Sequence, residues 1–167
     1  MSKRYLEVWL DPSTSLLYHL AMNQADCNYR ISAKAIIFED ETKQRFLICQ
    51  EDNGHWELPG GGIDHGASAQ DDIPREIDEE MGLATSFVDD SPIAFFTFYT
   101  KKYDKWFANV CFETKVKNLD FTPSSECQEI RFVNVDEALV LDNTLVTVTN
   151  SAKCYKLYLQ NHPVEQT

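Results

Sequence analysis

Between Gly60 and Leu83 the chain reads GGGIDHGASAQDDIPREIDEEMGL, and this stretch constrains the fold more than any other. Its opening glycines permit positive φ and close backbone approach, and amides exposed there can cradle an anion. No Gly-Lys-Ser/Thr follows them, so the segment is not a P-loop. Taken alone, the glycines are equally a hairpin turn. From Ser68 to Met81 the pattern is helical, with Ser68 placed as N-cap and Gly82 as the stop. On such a helix Glu76, Glu79 and Glu80 fall at i, i+3 and i+4 and share a face, which Asp72 extends by one turn. Like charges at these spacings oppose the helix by about 0.2–0.5 kcal/mol per pair, and Arg75 is the one base between Asp71 and Glu80. Hard divalent cations such as Mg²⁺ take oxygen ligands and bridge carboxylates to phosphates, so the face suits a metal. The acids by themselves favour the plainer reading of a solvated surface.

Pro74 lies inside this helix. It removes an amide that would bond the carbonyl of Gln70, at a cost of about 3 kcal/mol in a helix interior. The expectation is a kinked helix, or one that starts late with Asp71 or Asp72 as N-cap and Pro74 in its first turn.

Glycines, helix and acids together resemble the Nudix box, G-x5-E-x7-R-E-U-x-E-E-x-G-U, with U a bulky aliphatic residue. Counted from Gly61, the residues Arg75, Glu76, Ile77, Glu79, Glu80, Gly82 and Leu83 match it, eight of nine specified positions including Gly61 itself. The lead-in WELPGGGID is also similar to that of the family. The resemblance implies an α/β (α+β) fold, a Nudix-like α/β/α sandwich with a mixed β-sheet. It also implies a pyrophosphohydrolase that cleaves a nucleoside diphosphate linked to another moiety, with Mg²⁺ or Mn²⁺ and a metal-activated water attacking a phosphorus. Carried over residue by residue, Glu76, Glu79 and Glu80 are the metal ligands and Arg75 orients them. Gly61 and Gly62 shape the loop near the phosphates. The box asks for glutamate at position 67, where this chain has Ala67; Asp64 or Asp71 is a candidate to compensate. Ala67 and Pro74 keep a second reading open, a non-catalytic Nudix-fold nucleotide-binding module. A third is an acidic surface helix on an unrelated fold.

Many Nudix enzymes use a further glutamate from a downstream loop. In PSSECQEIRFV, Glu126 is the candidate ligand or general base, and Glu129 reads as the exposed start of a strand. Trp56, Phe38, Phe96, Tyr99, Tyr103 and Trp106 could stack a base, though alternating aromatics are more often core. His55 and His65 flank the glycines. Lys101, Lys102 and Lys105 form the densest basic cluster and read as a solvated hairpin tip.

Strand-like segments are expected at 4–10, with a short strand or helix at 15–21. Residues 31–40 and 45–51 read as a hairpin, and further strands at 92–100, 106–116 and 129–135. Asp136 is placed to cap a short helix, DEALVL, and 144–160 reads as a C-terminal helix. With 167 residues, no repeat and no Gly/Ser linker, residues 1–167 read as a single domain. A net charge of −12 argues against non-specific nucleic-acid binding and against an anionic membrane surface. It leaves a small nucleotide substrate only if a cation offsets the field. The five cysteines show no CxxC pairing and read as reduced thiols, and MSKRYLEVWLDP has no signal-like apolar run, which together predict a cytoplasmic protein. Nothing in the chain specifies an oligomeric state, and a homodimer stays open.

Overall fold

Residues 28–161 are described in the computed structural model of the chain, so the segments at 4–10 and 15–21, and Cys27, lie outside the described residues. The strands are β1 (Tyr29–Ile36), β2 (Arg45–Gln50), β3 (Trp56–Glu57), β4 (Thr85–Thr100), β5 (Lys105–Val116) and β6 (Glu129–Asn134). The helices are α1 (Ala69–Met81), α2 (Val135–Val140) and α3 (Val146–Asn161). One sheet has the order β1-β5-β4, with β1 parallel and β4 antiparallel to β5; the other is antiparallel, β3-β2-β6.

β2 shows why the sheets form an inner layer. Its residues Phe46 to Cys49 are all buried, which requires cover on both faces. Leu47 and Cys49 join Ile73, Ile77 and Met81 of α1 in one core cluster, while Phe46 and Ile48 join Ala138 of α2 and Val148 and Ala152 of α3 in another. Helix, sheet and helix therefore stack as a mixed α+β sandwich.

The expected hairpin between 31–40 and 45–51 forms only at its corner. Phe38 bridges Phe46, the Glu39 amide donates to the Arg45 carbonyl (3.0 Å), and that of Leu47 to the Ile37 carbonyl (2.8 Å). β1 itself pairs in parallel with β5, Tyr29 opposite Trp106 through Ile36 opposite Glu113. The run is long enough to leave one sheet and enter the other, and its distant partner outcompetes its neighbour. β4 begins at Thr85 rather than at 92, with register shifts on both sides of Pro92 that accommodate its missing amide. Asn134, not Asp136, caps α2: its side chain accepts from the Glu137 amide (2.8 Å), and Glu137 reciprocates. Asp136 instead pairs with Lys156 at 3.0 Å.

The late start expected for the acidic helix is also corrected. Ser68 caps it, accepting from the Asp71 amide (3.2 Å) while Asp71 accepts in return, and α1 runs from Ala69 through Pro74 without a break to Gly82, whose φ of 65° closes it. Ile73, Ile77 and Met81, all fully buried, offset the lost bond and the repulsion of the acids. Pro74→Ala restores an amide donor to the Gln70 carbonyl. It is expected to raise stability by about 1–3 kcal/mol in urea titrations; an unchanged or lower midpoint would show that the helix does not bear the proline's cost.

Candidate functional site

The glycine segment runs beside β1 like an added strand. The Ala35 amide donates to the Pro59 carbonyl (2.9 Å), that of Ala33 to the Gly61 carbonyl (3.0 Å), and that of Ile63 to the Ile31 carbonyl (3.1 Å). Gly60 has φ 108°, and a Cβ there would collide with the Ala33 carbonyl. At Gly61 a Cβ would strike the Glu76 carboxylate, and at Gly62 the Arg30 guanidinium. The glycines thus let the loop, a sheet edge and two charged side chains approach more closely than any larger residue permits. Lys34 of β1, 8% exposed, holds the loop from below: its Nζ donates to the carbonyls of Leu58 (3.2 Å) and Gly60 and lies 3.3 Å from Glu57 Oε1. Burial acts to lower the Lys34 pKa, but the charges of Glu57 and Glu80 outweigh it and raise the group above its ordinary value.

Arg75 gathers the helix acids. Its guanidinium donates to Glu76 Oε1 (2.7 Å), Glu79 Oε2 (2.8 Å) and Asp72 Oδ1 (3.3 Å). Asp72 is buried, and its other oxygen accepts from the Asp64 amide at 3.0 Å. It therefore does what was sought in Asp64 or Asp71 as compensation for Ala67, tying the arginine to the loop; Asp71 is engaged in the cap, and the Asp64 side chain is exposed. One turn on, Glu80 Oε2 accepts from the Gly60 amide (3.0 Å). The Glu126 loop is anchored to the C-terminus of the same helix, where Thr122 N–H donates to the Met81 carbonyl (3.0 Å) and Ser124 Oγ to that of Glu80 (2.7 Å). Ser124 Oγ then accepts from the Glu126 amide at 3.0 Å.

These elements enclose a cleft of about 540 Å³, lined by Gly60–Gly62, Glu57, Glu76, Glu80, Glu126, Glu51, Asp52 and Lys34 among others. Of the expected site residues, Gly61, Gly62, Glu76, Glu80 and Glu126 meet there. Arg75 stands behind Glu76, and Glu79 is turned to the rim, paired with Arg75 and not part of the wall. Glu129 begins β6 and is exposed, as expected. The donor set is carboxylate and carbonyl oxygen, the chemistry of a hard divalent cation. Glu57 Oε1 is buried and ion-paired with Lys34 (3.3 Å), a further carboxylate oxygen in the wall. Among the described residues no three acidic, His or Cys groups are already drawn together as a metal cage; Arg75 and Lys34 hold the oxygens in the meantime.

The NUDIX domain family profile matches residues 28–155. The chain belongs to the Nudix family. It is 34% identical over 71 residues to Nudix hydrolase 6 of Arabidopsis thaliana, covering 39% of this chain and 25% of that protein, so the match spans about a quarter of the relative's length. Among solved structures it resembles the MutT protein of Methanosarcina mazei Go1 (TM-score 0.63, 20% identity, 83% of this chain and 99% of that one). It also resembles an ADP-ribose pyrophosphatase of Streptococcus suis 89-1591 (TM-score 0.59, 25% identity, 83% and 96%). No helix among the described residues is long and apolar enough to cross a membrane.

Most aromatics expected as stacking candidates serve the Nudix core or its outer surface. Trp56 is buried under the Arg131 guanidinium (4.9 Å), Phe38 packs on Tyr155 (5.1 Å), and Phe96 lies against the second core cluster. Tyr99 and Trp106 are exposed on an outer sheet face. Lys101, Lys102 and Lys105 are exposed at the β4–β5 turn, and His65 is exposed beside the glycines. Reasoning from sequence missed Lys34, Glu57 and the role of Asp72. The signal for Lys34 was available: with Ser32 it puts polar side chains on one face of the otherwise apolar run ISAKAII.

Burial pushes the Glu80 carboxyl up to about 7, against the opposing pull of Lys34 and the Gly60 amide and with help from Glu76 and Glu57. A carboxyl whose native pKa exceeds its unfolded value favours the fold while protonated, and this contribution is lost as the pH rises from 4.5 through about 7. In chelator, the stability of the wild type is therefore expected to decline across that window. Glu80→Gln, which keeps an oxygen for the Gly60 amide, is expected to flatten the decline. Parallel urea-stability profiles for the two proteins would remove Glu80 as its source.

Proposed function

We propose that the chain is a metal-dependent Nudix pyrophosphohydrolase of the cytoplasm, a single domain that cleaves a nucleoside diphosphate linked to another moiety. The observation carrying this reading is the convergence of Glu76, Glu80 and Glu126 on the Gly60–Gly62 segment across one cleft. Mg²⁺ or Mn²⁺ would supply positive charge against the phosphates and acidify a water there. Glu76 and Glu80 face the site that would hold the ion, and Glu79 joins them by rotating from Arg75 on the rim. Arg75 keeps the carboxylates oriented, its own pKa raised by Glu76 first and then by Asp72 and Glu79. Glu126, carried on the loop anchored to the end of α1, serves as a further ligand or as the base that takes the water's proton. Gly61 and Gly62 give the phosphates room against the backbone.

The second reading, a nucleotide-binding module without turnover, draws on the ion pairs themselves. Arg75 and Lys34 occupy oxygens that a metal would need. A panel of nucleoside diphosphate derivatives assayed with Mg²⁺ and Mn²⁺ separates the two: turnover abolished by EDTA supports the hydrolase, and tight binding with no turnover supports the module. Glu79→Gln or Glu80→Gln is expected to lower turnover on the order of 10²-fold or more with the fold intact; full activity in both would remove the metal mechanism.

Gly61→Ala tests the loop. Its Cβ displaces the Glu76 carboxylate, the end of a flexible side chain, so the fold is expected to survive while Mn²⁺ affinity falls by about 10–100-fold. Paramagnetic titration of Mn²⁺ reads this directly, and wild-type affinity in the variant would dissociate Gly61 from the metal site.

A further inference from the structure

The cations of this acidic chain are unevenly committed. Lys34, Lys43, Arg45, Arg75, Lys115 and Lys156 each hold a carboxylate. Among the described residues Lys101, Lys102 and Lys105 hold none, although they crowd into the single turn between β4 and β5. Arg30 of β1, also without an ion pair, lies against Gly62 at the edge of the cleft. It stands opposite Phe107 in the β1–β5 ladder, and Lys105 precedes Phe107 by two positions, so the three side chains share one face of the sheet. That face looks onto a second cavity, of about 320 Å³, which Lys102 and Tyr103 of the turn line together with Phe98, Phe107 and Asn109. The buried Asn109 side chain has no hydrogen-bond partner among the described residues, so this wall is polar as well as aromatic. Lys34, Glu51 and Glu57 are common to the cavity and the cleft.

The turn carries one acid, Asp104, and the structure holds it away from the lysines. Asp104 has φ 49°, uncommon for a residue other than glycine, and its Oδ1 accepts from the Tyr99 hydroxyl. Tyr99 packs on Trp106 (5.6 Å), which alternates with Phe107 and so lies on the opposite face of the sheet. Glu51, on the cavity wall with Lys102, is engaged by the Asn53 carboxamide at 2.6 Å. Lys102 rests instead over the Tyr103 ring (4.9 Å), itself 6.2 Å from Phe107. Three neighbouring ammonium groups are thus kept free of carboxylates beside a cavity that adjoins the cleft.

We propose that the β4–β5 turn binds a phosphate that the substrate carries outside its diphosphate. The inference rests on the reading of the cleft as the site of a nucleoside diphosphate derivative. Such a ligand uses its 5′ oxygen for the diphosphate, so a further phosphomonoester sits on the 2′ or the 3′ hydroxyl. Past the shared wall, that group meets Lys102 and its neighbours, compact point charges suited to a tetrahedral dianion. A net charge of −12 otherwise opposes every added phosphate, and the turn reverses this at one place. The chain therefore selects nucleotides phosphorylated at 2′ or 3′ over those with free hydroxyls.

Binding without cleavage tests this. Wild-type protein with Mg²⁺ is titrated with ADP, with the 5′-monophosphates of adenosine and uridine, and with their 2′,5′- and 3′,5′-bisphosphates. Backbone amides of 101–105 are followed in ¹⁵N–¹H spectra. One bisphosphate series is expected to bind about tenfold more tightly than the monophosphates and to shift the 101–105 amides, which ADP leaves in place. The two series assign the phosphate to the 2′ or the 3′ hydroxyl. The combined variant Lys101→Ala/Lys102→Ala/Lys105→Ala is expected to lose the advantage and keep its affinity for ADP. Bisphosphates no tighter than monophosphates, unmoved 101–105 amides, or an advantage that survives the triple variant would overturn the proposal. The wild-type titration decides the matter even if the variant fails to fold. ADP bound without any bisphosphate advantage removes the turn alone, whereas absence of ADP binding removes the reading of the cleft with it.

Discussion

The amides of Ala33 and Ala35 donate across to the carbonyls of Gly61 and Pro59, and on this short ladder the rest of the site depends. It converts a glycine-rich segment, which on its own would carry high conformational entropy, into a fixed edge of the sheet. The Lys34 ammonium locks the same segment from beneath. With the loop fixed, the Gly60 amide has one direction in which to point, and Glu80 meets it. The helix is thereby registered against the sheet by its functional face as well as by Ile73, Ile77 and Met81.

Asp71, Asp72, Glu76, Glu79 and Glu80 of α1 are tolerated because each has an assigned neighbour. Arg75 spans three of them, and Asp72, buried behind it, fixes the guanidinium to the loop through the Asp64 amide. Asp72 is the buried member of this set, and removing the half-exposed Arg75 would take the ion pair from a carboxylate with little access to water. This also explains how the chain manages with Ala67. The carboxylate that grips the arginine comes from within the helix, three residues before it, and the loop position is left without one.

What could be read from the sequence follows the range of the interactions involved. The bounds of α1 were legible because Ser68, Asp71 and Gly82 act on backbone within a turn of themselves. The hairpin of 31–40 with 45–51 was misread because β1 takes its partner from β5, whose pairing closes a long loop that no local pattern announces. Glu126 was legible as a loop glutamate, but its anchoring through Ser124 to the end of α1 was not. Asn109, in the apolar run WFANVCF, and Lys34, in ISAKAII, were each visible as a polar residue in a buried strand. Their partners, or the lack of them, appear only once the sheets are assembled.

The excess negative charge and the need for a cation are one constraint. The cleft wall carries the carboxylates Glu51, Asp52, Glu57, Glu76, Glu80 and Glu126, with Lys34 as the cation already committed to the loop. Unit charges about 4 Å apart interact by about 4 kcal/mol near a protein surface, so each phosphate oxygen brought into this wall without a counter-ion meets repulsion comparable to much of the fold's own stability. Burial is the larger cause of the raised Glu80 carboxyl, and the same repulsion, from Glu76 and Glu57, adds to it as a proton taken up. A bound divalent ion would reverse both effects together, releasing that proton and drawing the phosphates in. Acidity that would repel a nucleotide from a bare surface then becomes the means of holding one.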